Sequence, residues 1–153
     1  MSTAPQFARV ALQMEEKMKE KMEEVIVPTH FYNPHLHGQL IELSEFIGGC
    51  DAGRFYCALD PDGTITPCVF FPLAVGNIKT DSFEEIWDNN KVFLDLRNRE
   101  KLKPNCGTCK FRYVCGGCRA RAYGYFGDYL APDPGCINNI EAWKRLIASC
   151  EAR

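Results

Sequence analysis

The sequence predicts an α+β fold: a β-hairpin and several short helices carry long cysteine-bearing loops, with a helix at each end. Two β-prone runs flank a tight turn near the middle of the chain, and amphipathic segments opened by capping residues stand on both sides of it. Between the later segments, glycine and cysteine dominate and no apolar period is visible.

Thr3-Ala4-Pro5-Gln6 matches a capping box with proline in the first turn. Phe7, Val10, Met14, Met18, Met22 and Val25 then recur at helical spacing up to Pro28, so the methionine stripe is a packing face. The following loop holds His30, His35 and His37 with no cysteine or carboxylate close by in sequence, which assigns them structural or solvated roles. A short helix is expected over 40–47, ended by Gly48-Gly49.

Residues 54–71 read as the hairpin, with Asp60-Pro61-Asp62-Gly63 as its turn. Pairing Asp60 with Thr64 sets Cys57 opposite Pro67, one residue from Cys68. The two sulfurs then start on opposite faces unless a bulge shifts the register. Pro67 donates nothing to a ladder and marks a place for such an irregularity. Ser82-Phe83-Glu84-Glu85 is a second capping box, predicting a helix with Phe83, Ile86, Trp87, Phe93, Leu94 and Leu96 facing inward. Asn138 is expected to cap a last helix that buries Ile140, Trp143, Ile147 and the isolated Cys150.

At 153 residues the chain is expected to form one domain with an appended helix, and its 46% hydrophobic and 25% charged content is that of a soluble globular protein. A net charge of −2 gives no global argument for nucleic acid or membranes. Charge is uneven, however: residues 97–121 carry eight basic side chains against the single acid Glu100, and they coincide with the densest cysteines. Cations there would stabilise an anionic centre, or they form a solvated face. No secretory pattern opens the sequence and no run is long enough to span a bilayer. The expected location is the cytoplasm, where clustered cysteines bind metal more often than they form disulfides.

Eight of nine cysteines are ordered: Cys50, Cys57 and Cys68, then Cys106-x2-Cys109-x5-Cys115-x2-Cys118, then Cys136. Thiolate is a soft ligand that selects iron–sulfur clusters or zinc. The x2 steps let paired sulfurs face one centre while backbone N–H groups turn toward them. Zinc-ribbon knuckles stand further apart, at about 15–20 residues. Sharing the ligands between two adjacent centres uses all eight.

This constellation resembles the SPASM domain, the auxiliary-cluster domain of many radical S-adenosylmethionine enzymes. The resemblance covers residues 47–137 and rests on Cys50, Gly63-x4-Cys68, Cys106-x2-Cys109-x5-Cys115, Cys118 and Cys136. Asp60-Pro61-Asp62-Gly63, Gly76-Asn77-Ile78 and Cys115-Gly116-Gly117-Cys118-Arg119 add to it. It implies interleaved ligand sets. A first auxiliary [4Fe–4S] cluster takes Cys50, Cys68 and Cys118, with Cys57 as the extra cysteine of sulfatase-maturase-like members. Cys106, Cys109, Cys115 and Cys136 hold a second. Cys115 and Cys118 are two residues apart where the family usually has three.

The resemblance further implies electron relay beside a radical S-adenosylmethionine barrel, in cis or in trans, that modifies a peptide or a tetrapyrrole. That barrel would bind S-adenosylmethionine and a third cluster through Cys-x3-Cys-x2-Cys, a spacing this sequence lacks, so catalysis by the chain alone is not expected. Residues 1–46 would then be the barrel junction, 47–137 the iron–sulfur domain and 138–153 the C-terminal helix, as a fragment or a stand-alone accessory. Two other readings use the same thiolates: a zinc-binding interaction module, and an independent ferredoxin-like carrier.

Overall fold

The structure is a computed structural model and describes Arg9 and residues 49–151. The expected N-terminal helix, histidine loop and helix over 40–47 lie outside the described residues, except for Arg9, which is helical and buried. The side chain of Cys150 also lies outside them.

The hairpin forms in the expected register. Strand β1 (Ala58–Leu59) runs antiparallel to β2 (Thr64–Thr66), with Ala58 opposite Thr66 and Leu59 opposite Ile65. The Asp60 N–H donates to the Thr64 carbonyl at 2.8 Å, and the Gly63 N–H donates back to Asp60 at 2.9 Å. An Asp62 carboxylate oxygen accepts the Thr64 N–H at 2.9 Å, fixing the turn locally. Regular pairing stops before Pro67, which has no N–H to give. Its carbonyl accepts the Gly53 N–H instead, at 3.1 Å. A third strand that the sequence did not predict, β3 (Gly76–Asn77), pairs antiparallel with β2 and completes the order β1-β2-β3.

The second capping box is present, with Ser82 Oγ accepting the Glu85 N–H at 3.4 Å where α1 (Phe83–Asn89) begins. Asn90 then interrupts the helix. Its backbone is extended, its N–H closes α1 on Ile86, and its side chain caps α2 (Lys91–Arg97) by accepting the Val92 N–H at 2.9 Å. This break corrects the expected facing, because each helix sets its own phase. Ile86, Phe93 and Leu96 are buried, whereas Phe83 and Leu94 are 49% and 45% exposed.

A short 3-10 turn (Arg99–Lys101) follows α2, and α3 (Arg119–Phe126) is capped by Cys118 and closed by Gly127. At the end, a 3-10 turn (Ile137–Asn139) runs straight into α4 (Ile140–Glu151). Asn138 sits inside that turn and does not cap the helix, so the expected buried face is also displaced. Ile140 and Ile147 are exposed and Asn139 is buried instead.

Two apolar clusters back the sheet and helices. Ala52, Cys68, Phe71, Leu96 and Ala120 form one, and Ile65, Ile86 and Phe93 the other. Asp95 ties α2 to the later loops by accepting from Lys91 Nζ (2.5 Å), Lys101 Nζ (2.5 Å) and the Tyr129 hydroxyl (2.8 Å). Burial alone would raise its pKa, but these donors outweigh burial and hold the carboxyl at about 2. Among the described residues, no helix is long and apolar enough to cross a membrane.

Candidate metal centres

Cys106, Cys109, Cys115 and Cys136 line one open-mouthed cavity, with Arg9, Phe111 and Asn139 also on its wall. The two-residue steps behave as short-loop sulfur geometry requires. The Phe111 N–H points back at Cys109 Sγ (3.5 Å) and the Gly117 N–H at Cys115 Sγ (3.4 Å). Cys106 collects three donors from distant residues: the Asp133 N–H at 3.4 Å, Asn139 Nδ2 at 3.6 Å and Arg119 Nη2 at 3.7 Å. Cys136 reaches the cavity on a turn in which its N–H donates to Asp133 and its carbonyl accepts the Asn139 N–H at 2.8 Å.

A second group gathers on the apolar floor. Cys68 is part of the Phe71–Leu96–Ala120 cluster, and Cys50, Tyr56 and Cys118 pack against that cluster. The Phe70 N–H donates to Cys68 Sγ at 3.3 Å, and the Tyr56 hydroxyl hydrogen-bonds the same side chain. Cys118 Sγ accepts the Arg121 N–H at 3.4 Å, so the sulfur itself caps α3. Cys57 is placed differently. It packs against the Ile65–Ile86–Phe93 cluster, whereas Cys68 belongs to the other one. The structure brings Cys50, Cys68 and Cys118 together and does not bring Cys57 to them.

The groups touch at a seam. The Cys50 N–H donates to the Cys115 carbonyl at 3.1 Å. Gly49, at φ +82°, makes this approach possible, since a Cβ there would stand 2.2 Å from that same oxygen. Asp133 staples the groups from behind. Its carboxylate accepts the Cys118 N–H (2.8 Å), the Gly135 N–H (2.9 Å) and a bidentate Arg121 (2.6 and 2.8 Å), while its own N–H serves Cys106. Burial would raise the Asp133 pKa, yet Arg121 and the two amides more than compensate and lower it.

All eight described cysteines are free thiols. Burial pushes the Cys115 thiol up to about 11 and raises those of Cys118 and Cys57. An activated nucleophile needs the opposite shift, whereas a coordinating metal ionises a thiol outright. The donor set therefore fits ligation. Among the described residues, no three His, Cys, Asp or Glu side chains are grouped to hold one metal ion. Four thiolates suit a tetrahedral zinc or an iron–sulfur centre, and N–H donors on the sulfurs are what an iron–sulfur centre uses.

The sequence analysis assigns no role to Tyr56, Asp133 or Asn139, and it includes Arg99 only as one cation of the basic block over 97–121. Asp133 lies in the turn-forming run Asp133-Pro134-Gly135 before Cys136, which is a signal, and Asn139 is next to the expected cap Asn138. Nothing in sequence singles Tyr56 out as a neighbour of sulfur.

Residues 50–110 match the SPASM family, described as an iron–sulfur cluster-binding domain. The AdoMet-dependent heme synthase of Methanosarcina barkeri is 39% identical over 134 residues, which is 88% of this chain and 34% of that protein. The AdoMet-dependent heme synthase of Nitratidesulfovibrio vulgaris is 40% identical over 88 residues, 58% of this chain and 24% of that protein. Mycofactocin maturase MftC of Mycobacterium tuberculosis is 30% identical over 131 residues, 82% of this chain and 33% of that protein. The chain thus spans about a third or less of the length of these relatives. Residues 50–110 thus carry the match to the iron–sulfur cluster-binding family, and Cys106 and Cys109 of the cavity lie within them.

Proposed function

We propose that the chain binds two [4Fe–4S] clusters and works as the auxiliary, electron-relaying domain of a radical S-adenosylmethionine enzyme that modifies a tetrapyrrole or a peptide. The observation carrying this is the single cavity lined by Cys106, Cys109, Cys115 and Cys136, with N–H donors on three of the sulfurs. Those four residues hold the second cluster. Cys50, Cys68 and Cys118 hold the first, and Cys57 supplies its fourth thiolate. Because Cys57 packs on the other apolar cluster here, that ligation requires its side chain to leave the Ile65–Ile86–Phe93 cluster and turn toward Cys68.

When bound, such clusters supply one-electron chemistry. The protein's part is to keep both sulfur groups apolar-backed and hydrogen-bonded, so that electron transfer reorganises little. The barrel partner, in cis or in trans, follows from relatives of whose length the chain covers about a third or less, and two of those cited are named heme synthases. A reducing compartment such as the cytoplasm keeps the thiols available.

A second reading has its own observation. Tyr56, not Cys57, faces Cys68, which fits a three-thiolate first centre with one iron position toward the phenol.

Anaerobic reconstitution with iron and sulfide analysis tests the proposal. About eight iron atoms per chain are expected, falling to about four in C115S and in C118S. A brown chromophore is expected, in contrast to a colourless zinc site. Four iron atoms or fewer in the unmodified chain would sink the two-cluster reading. C57S separates the two versions of the first centre. Loss of that cluster supports ligation by Cys57, and retention supports the three-thiolate form.

A further inference from the structure

The seam between the two cysteine groups is filled by one side chain, Arg99, from the 3-10 turn after α2. It is 4% exposed. Its Nη2 donates to the Cys50 carbonyl at 2.7 Å. Its Nε and Nη1 are buried and have no hydrogen-bond partner among the described residues. The guanidinium lies over Gly116, where a Cβ would stand 2.0 Å from Nη1 and 2.4 Å from Cζ, so glycine at 116 is the room that Arg99 occupies. The thiols within its electrostatic reach are Cys50 and Cys115, one from each group. The other charged groups facing it are the like-charged Arg54 and Arg119 and the carboxylate of Asp51.

A buried charged donor without an acceptor is costly, because its desolvation goes uncompensated. Two such donors on one guanidinium, with two further arginines nearby, call for an anionic acceptor at this place. Four-thiolate iron–sulfur centres are net negative, and their potentials respond to hydrogen bonds and charge around the sulfurs.

We infer that Arg99 is a positioning residue shared by both centres: its Nε–H and Nη1–H bond sulfur at the seam, and its charge raises both reduction potentials together. The inference rests on the two-cluster reading above. The alternative is a purely structural clamp on the Cys50 loop, which would alter loading without moving the potential of whatever loads.

The test is an anaerobic redox titration of the reconstituted full chain, followed by electron paramagnetic resonance so that only loaded centres are read. In Arg99→Gln, both midpoint potentials are expected to shift downward. Arg99→Lys, which keeps the charge and loses the planar fork, is expected to shift both downward by less. Lys144→Gln, at a side chain 65% exposed, is the control and should move neither. Should the glutamine variant load no iron, the lysine variant decides alone. Unchanged potentials, or a shift confined to one centre, in the variant that loads would overturn the shared role. An unmodified chain that binds fewer than two clusters overturns the two-cluster reading and this inference with it. Two clusters with an unresponsive Arg99 variant overturn the inference alone.

Discussion

Three of the four sulfurs around the open cavity come from one ten-residue stretch, 106–115, with Cys136 arriving alone, whereas Cys50 and Cys68 come from distant segments and Cys118 from the start of the helix that follows that stretch. The loop group rests on a small cluster of its own, Phe111, Val114 and Cys115 with Cys109 against it, and collects donors to sulfur from Phe111, Gly117, Asp133, Asn139 and Arg119. The dispersed group has fewer donors and is buried against Phe71, Leu96 and Ala120. Both groups are packed, and the number of polar bonds to sulfur is what separates them. Hydrogen bonds to sulfur raise a cluster's potential, so the Cys106 centre should accept an electron before the Cys50 centre does.

The largest expected effect comes from the residue serving both groups. Asp133 is fully buried and Arg121 is 36% exposed. Asp133→Ala should therefore cost about 3 kcal/mol, the low end for breaking a buried pair. A denaturant titration of the full chain would show it as a lower midpoint. The pH dependence follows from the lowered Asp133 pKa. A carboxyl with a depressed folded pKa contributes above its unfolded value, near about 3.9, and that contribution fades as pH falls through the folded one. Above roughly pH 5 the deficit of the variant should be full, and it should shrink in stronger acid.

Next in size is Gly49→Ala, which strains a left-handed backbone at about 1–3 kcal/mol and drives a methyl into the Cys115 carbonyl. The seam would open on the Cys50 side. Iron analysis should then fall toward one cluster while the Cys106 centre keeps its spectrum. Equal loss from both centres would show that the groups are not separately supported.

Smallest is Tyr56→Phe, which deletes a donor to Cys68 and leaves the ring in place. A modest downward shift at the Cys50 centre with none at the Cys106 centre is expected. A matching shift at both would erase the contrast between them.

The hairpin register was legible because its turn chemistry and the position of Pro67 are local. So was the x2 sulfur geometry, for the same reason. The helix faces are not legible where a single asparagine resets the phase at Asn90, and where Cys136 begins the last helical stretch ahead of Asn138. The donors to Cys106 come from residues 13 to 33 positions away, and no periodicity announces such contacts. Arg99 reaches Cys50 across 49 residues, and in sequence it reads as one more cation in a basic run.

Cys118 belongs to the apolar floor, yet in chain order it stands between Cys115 and Cys136, which belong to the cavity. The backbone is therefore laced between the two sulfur groups, and neither is a detachable module. Trimming the chain before residue 118 would deprive both of a ligand at one stroke, so a descendant that gave up one centre would do so by replacing individual cysteines and not by shortening the domain.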